Sequence, residues 1–79
     1  MKNSHIISTD NTAKESEARA LRALLVLELV SSSTQPVTPS QIGMRLQIPK
    51  ATLARMVDAL VESNHLTRLV GERGLIPGP

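Results

Sequence analysis

Lys50, Thr52 and Arg55 fall close together in the run IPKATLARM, Ile48 to Met56. An ammonium and a guanidinium donate charge-assisted hydrogen bonds to anionic oxygens, and a guanidinium also fits the edge of a guanine in bidentate fashion. Leu53 and Met56 in the same run are apolar, so on a helix they would turn inward while the two cations and the hydroxyl turn outward. Ala51 and Ala54 keep the outer face low, which a helix needs if its backbone is to approach base edges in a major groove. Residues of these types at this spacing are suited to recognising an anionic groove rather than to making or breaking bonds.

The rest of the chain offers little competing chemistry. Nucleophilic and acid–base catalysis lack their parts, since there is no cysteine, the serines cluster at helix ends and no carboxylate pair stands in apolar surroundings. His5 and His65 have no further ligands at metal-binding spacing. The expectation is a protein that is not an enzyme and uses no cofactor or metal. His65 is expected to cap a helix end or fill half a core site. Arg68 and Arg73 add cations further along, although hairpins also carry arginine for solubility. Arg19 and Arg22 are within the reach of a phosphate but fit better the solvated face of a helix, and Asp58 and Glu62 read as solvated charges that also mark where contact with an anion must stop.

These groups must be positioned by a small scaffold. The 79 residues can hold one domain but not two, and the 41% hydrophobic content includes no Phe, Tyr or Trp. Its core is therefore aliphatic and thin. Chains below roughly 70–80 residues rarely draw more than about 3–5 kcal/mol from one core, so a second copy or a ligand is expected to add stability. A net charge of +2 and a pI near 9.7 permit nucleic-acid binding without demanding it. Zero cysteine fits a reducing compartment, Lys2 is followed by no apolar signal segment, and the run Ala23 to Leu27 is too short to span a membrane. A cytoplasmic protein is expected, bound to the nucleoid when on DNA.

Residues 1–16, with only Ile6 and Ile7 sizeable and apolar, read as a flexible tail, and 17–79 as the folded domain. A first helix is expected from about Glu15 to Glu17 through EARALRALLVLELV, with Ala18, Leu21, Leu24, Leu25 and Leu29 as its buried face. Val26, Leu27 and Val30 add apolar surface around the side, more than one face needs. SSSTQP then stops it. Thr38 and Gln41 form a T-x-x-Q capping box with Pro39 at the first helical position, which predicts a second helix over Pro39 to Leu46 burying Ile42 and Leu46, stapled by Val37 against Ile42. After Gln47, Ile48 and Pro49 a third helix is predicted over Lys50 to Asn64, burying Leu53, Met56, Val57, Leu60 and Val61. Asn64 suits the left-handed cap. LTRLV and LIP, joined through GERG, predict two short strands with unusual dihedrals at Gly71 and Gly74. Met44 and Met56 read as core filler.

Two short helices joined by a few residues, preceded by a helix and followed by a hairpin, give a mainly α fold with a small β-hairpin: a three-helix winged helix-turn-helix. The residues ALRALLVLELV, then PVTPSQIGMRLQIPKATLARMVDALVESNHLTR, and the closing Gly78-Pro79 resemble the N-terminal DNA-binding domain of the IclR family of bacterial transcription regulators. The resemblance covers about Ala18 to Pro79, and P-K-x-T-x-x-R in register with T-x-S-x-I-x-x-x-L is its most specific part.

It implies sequence-specific binding of double-stranded DNA by a homodimer; the surplus apolar surface of helix 1 fits either a central helix wrapped by the domain or pairing with the second copy. Lys50, Thr52 and Arg55 match the family's readers, with Ala51 standing where a serine is usual. Thr38 and Ser40 match its helix-2 start, where a phosphate can sit on free N–H groups, and Arg68 and Arg73 fall in the wing. Asn64 and His65 replace a common glycine and aromatic residue, and Gly74 to Pro77 lacks the usual basic and aromatic second wing strand. Family members continue into an effector-binding domain, whereas nothing follows Pro79, so a fragment or short form without an effector site is expected. The alternative is a protein-interaction module that pairs through helix 1 with a full-length regulator. RNA binding lacks the aromatics that stack on single strands.

Overall fold

The computed structural model describes the backbone from Lys2 to Pro79 and the side chains from Ala13 onward. Helix α1 is Lys2–Ser32, α2 is Pro39–Leu46 and α3 is Lys50–Glu62; strands β1 (Leu66–Arg68) and β2 (Leu75–Pro77) flank a single 3-10 turn at Val70–Glu72. Helix α1 thus begins well before Glu15. The flexible tail expected over residues 1–16 is instead helix over its described backbone, Lys2 to Ser16, and Met1 lies outside the described residues. Neither glycine nor proline interrupts Lys2–Ser32, and a helix held by its packed end propagates at the gain of one hydrogen bond per added residue.

Helix α1 buries a different face from the one its leucines suggest. Val26 and Val30 are fully buried, with Leu27 and Leu29 packed beside them, while Leu21, Leu24 and Leu25 are 60%, 60% and 47% exposed. Because the segment is apolar nearly all round, its 3.6-residue period fits either side. Contacts with α2 and β2 decide which side packs.

Helix α2 starts as its capping box dictates. The Gln41 N–H donates to Thr38 Oγ1 at 3.2 Å, and the Thr38 N–H donates to Gln41 Oε1 at 2.9 Å. The helix ends at Gln47, whose φ of 54° turns the chain so that the Ile48 N–H reaches back to the Gly43 carbonyl at 3.2 Å. That left-handed turn sets α3 against α2 and buries Ile48. Helix α3 closes the same way. Asn64 takes φ 68°, and the His65 N–H donates to the Leu60 carbonyl at 2.8 Å. The helix therefore stops at Glu62 and not at Asn64, which is the turn residue beyond it. His65 is exposed, its Nδ1 within 2.7 Å of Ser63 Oγ.

The hairpin pairs Leu66 with Pro77, Thr67 with Ile76 and Arg68 with Leu75. Its first strand is shorter than LTRLV because the chain leaves the ladder at Leu69, whose N–H donates to the Gly74 carbonyl at 2.9 Å. Gly71 and Gly74 take φ of 75° and 124° as expected, and Glu72 joins them at 57°. Val37 adds a third, single-residue rung to this sheet, donating to and accepting from Leu75 at 3.0 and 2.8 Å. A side chain on Gly74 would strike the Val37 carbonyl, and one on Gly78 would strike that of Asn64, so both glycines allow close backbone approach. Met44, expected in the core, is 81% exposed, because the stripe of α2 that packs passes through Ile42 and Leu46.

The central position of Ile42 can be measured. Ile42→Ala is expected to cost about 2–5 kcal/mol in urea unfolding, whereas Met44→Ala on the same helix should stay within about 0.5 kcal/mol. Equal effects would place the core elsewhere.

Candidate nucleic-acid interface

Leu53 and Val57 hold α3 to the core, with Met56, Leu60 and Val61 packed beside them. This leaves Lys50, Ala51, Ala54 and Arg55 exposed near its start, and Thr52 half-buried. Pro49 supplies the N-cap without any side-chain hydrogen bond to the first turn. The outward line continues through Asp58 and Glu62, whose charges limit an anion-facing surface to the first turns of α3.

The sequence-predicted residues other than Ala51 and Arg73 fall in three grooves. Ser40, Lys50, Ala54, Asp58 and Arg68 line one between α2, α3 and β1. Thr38, Ser40 and Arg68 line a second, between the start of α2 and the wing. Thr52 and Arg55 open the other way, onto a groove against α1 that also carries Arg19 and Arg22. These two arginines read from sequence as an ordinary solvated face. Only the fold brings them beside Arg55, since helical period gives no hint of which neighbour α1 faces.

The start of α2 offers fewer donors than its resemblance implies. Pro39 has no N–H, Thr38 Oγ1 takes that of Gln41, and the Thr38 carbonyl accepts that of Ile42 at 3.1 Å. Ser40 supplies the remaining N–H together with its exposed hydroxyl.

Arg68 is not a free cation. Its Nη2 donates to Asp58 Oδ1 at 2.8 Å, the one ion pair among the described residues. Both partners are well exposed, so the pair orients Arg68 more than it stabilises the fold. Asp58, expected to be merely solvated, ties the wing to α3. Arg73 stands apart from the grooves around α2 and α3; its Nε donates to the Val70 carbonyl at 3.2 Å within the wing turn.

Among the described residues no group of three metal-binding side chains forms, and no helix is long and apolar enough to cross a membrane. An outward cationic helix start, an adjoining capped helix and a wing define a winged helix-turn-helix DNA-binding module. A family model for the IclR helix-turn-helix domain matches residues 20–69. The chain belongs to this IclR family of DNA-binding transcription regulators, as the run of matched motifs implies. No curated protein and no solved structure matches it.

Asp58→Asn tests the role of the ion pair. Stability should shift by no more than about 1 kcal/mol, while affinity for duplex DNA should rise as a carboxylate leaves the anion-facing side and Arg68 is released. Weaker binding in a titration would mean instead that Asp58 is needed to aim Arg68.

Proposed function

We propose that the chain reads duplex DNA in a sequence-specific way, as a homodimer joined through α1, with transcriptional control as its consequence. One observation carries the reading. Helix α3 buries Leu53 and Val57 while Ala51, Ala54 and Arg55 stand exposed away from them and Lys50 stands exposed at its first turn, the two alanines keeping that side low enough for a major groove. Arg55 is the strongest candidate for a base contact, with Thr52 in the same groove and Lys50 at the start of the helix. Thr38, Ser40, Arg68 and Arg73 are assigned to the phosphate backbone, Ser40 with the one open N–H of its helix start. The unit that binds is residues 17–79, and its place of action is the cytoplasm, on the nucleoid.

Magnitudes as well as shape support the dimeric reading. From Gln35 to Ile76 the cations exceed the carboxylates by two, and each phosphate neutralised contributes a salt slope of only about −0.9. One copy should therefore bind weakly, and paired half-sites supply the rest. Leu21, Leu24 and Leu25, exposed on α1 away from the buried Val26 and Val30, support that helix as the joining surface. The same leucines would equally serve a second reading, in which the chain pairs with a full-length regulator and alters it.

Selection of bound duplexes from a random pool, at moderate salt, should enrich a two-fold symmetric site. Enrichment of nothing by the folded chain would count against it as a self-sufficient reader. Arg55→Ala should cost about 1–3 kcal/mol of DNA binding and relax preference at one base position, while leaving self-association unchanged. Unaltered affinity and preference would remove Arg55 from its role.

A further inference from the structure

Ala51, Arg55, Asp58 and Glu62 recur at four, three and four along α3 and so share one line, opposite the buried Leu53 and Val57. All four are exposed. Ala51 lines neither the groove that holds Lys50 and Ala54 nor the one that holds Thr52 and Arg55, so it stands on the ridge between them. It is the first residue of that ridge and the one without charge. Along the ridge a methyl group is followed by a guanidinium and then by two carboxylates, which mark where approach to DNA ends.

We propose that Ala51 is a specificity-determining residue whose methyl group packs on the C5-methyl of a thymine in the major groove, close to a guanine contacted by Arg55. The inference rests on the DNA-reading proposal above and names one base of the site. The side chain of Ala51 neither donates nor accepts a hydrogen bond, and the thymine C5-methyl is the apolar group that a base pair offers in the major groove. Pressed on the polar edge of another base, the same methyl would strip water from an N–H or a carbonyl and return no hydrogen bond. Cytosine carries only a hydrogen at the corresponding carbon and so leaves the contact unfilled. One helical turn separates Ala51 from Arg55, about 6 Å along the axis, against about 3.4 Å between stacked base pairs. The thymine therefore lies about one or two base pairs from that guanine. Ala54, exposed and equally short, lets the backbone come close enough for the contact. Because Ala51 senses the methyl group and nothing else on the base, 5-methylcytosine at the same position satisfies it as thymine does.

The probe is a duplex enriched from the random pool and bound by the full chain, with each thymine in turn replaced by deoxyuridine, which lacks the methyl group and keeps the pairing. One such replacement, beside the base whose preference depends on Arg55, should weaken binding about fourfold, the factor that burial of one methyl group carries. Cytosine at that position should weaken binding too, and 5-methylcytosine should recover most of the loss. In Ala51→Gly, with its fold checked by circular dichroism, the difference between thymine and uracil should vanish. Ala51→Asn, whose polar side chain suits a first helical turn, should lose it as well. Indifference of the wild-type chain to uracil at every position, or a thymine preference that survives either substitution, overturns this assignment while Arg55-dependent binding stands. A folded chain that enriches no duplex overturns the DNA-reading proposal with it.

Discussion

Val37 and Leu75 exchange both of their backbone hydrogen bonds, at 3.0 and 2.8 Å, and this pair joins the two halves of the molecule. On one side stands the connection from α1 into α2; on the other, the second strand of the wing. A two-stranded hairpin this short is marginal by itself. With Val37 as a third rung, and with Leu66 and Leu75 buried against the helices, the wing becomes part of the core. The close approach needs Gly74, where any side chain would meet the Val37 backbone.

The interface follows from that junction. Thr38, next to the paired Val37, caps α2, so the start of α2 lies beside the wing. Gln47 then turns the chain in the left-handed region, and α3 lies across α2 with Leu53 and Val57 inward. Arg68 reaches from β1 to Asp58 on α3 and spans the remaining gap. The outward side chains of three elements are thereby held in fixed relation without any buried polar group among the described residues. A thin aliphatic core suffices because backbone pairing and turn geometry fix the angles.

The first helix carries apolar residues on two faces. Val26 and Val30 close the core, and the leucines opposite remain in water. Leu21, Leu24 and Leu25 thus form an exposed apolar patch on a small chain that lacks aromatics and disulfides. Its position on α1 also leaves the cationic face of α3 clear.

Much of this was written in the residues themselves. The capping box, the proline at the head of α2, the asparagine after α3 and the glycines of the wing act over a few residues, and the structure has each of them where local rules put it. The buried stripe of α3 was legible from its apolar spacing, and Lys50 and Arg55 are exposed as expected, whereas Thr52, expected outside with them, is half-buried against α1. Helix α1 was different: with apolar residues on nearly every side, its periodicity could not choose a buried face. The tertiary contacts with α2 and β2 chose Val26 and Val30 over Leu21, Leu24 and Leu25. The strand rung at Val37, the Asp58–Arg68 pair and the convergence of Arg19 and Arg22 on Arg55 join residues far apart in the chain. A sequence fixes what lies within a turn or two of each residue, whereas neighbours brought together by packing are decided only when the elements close on one another.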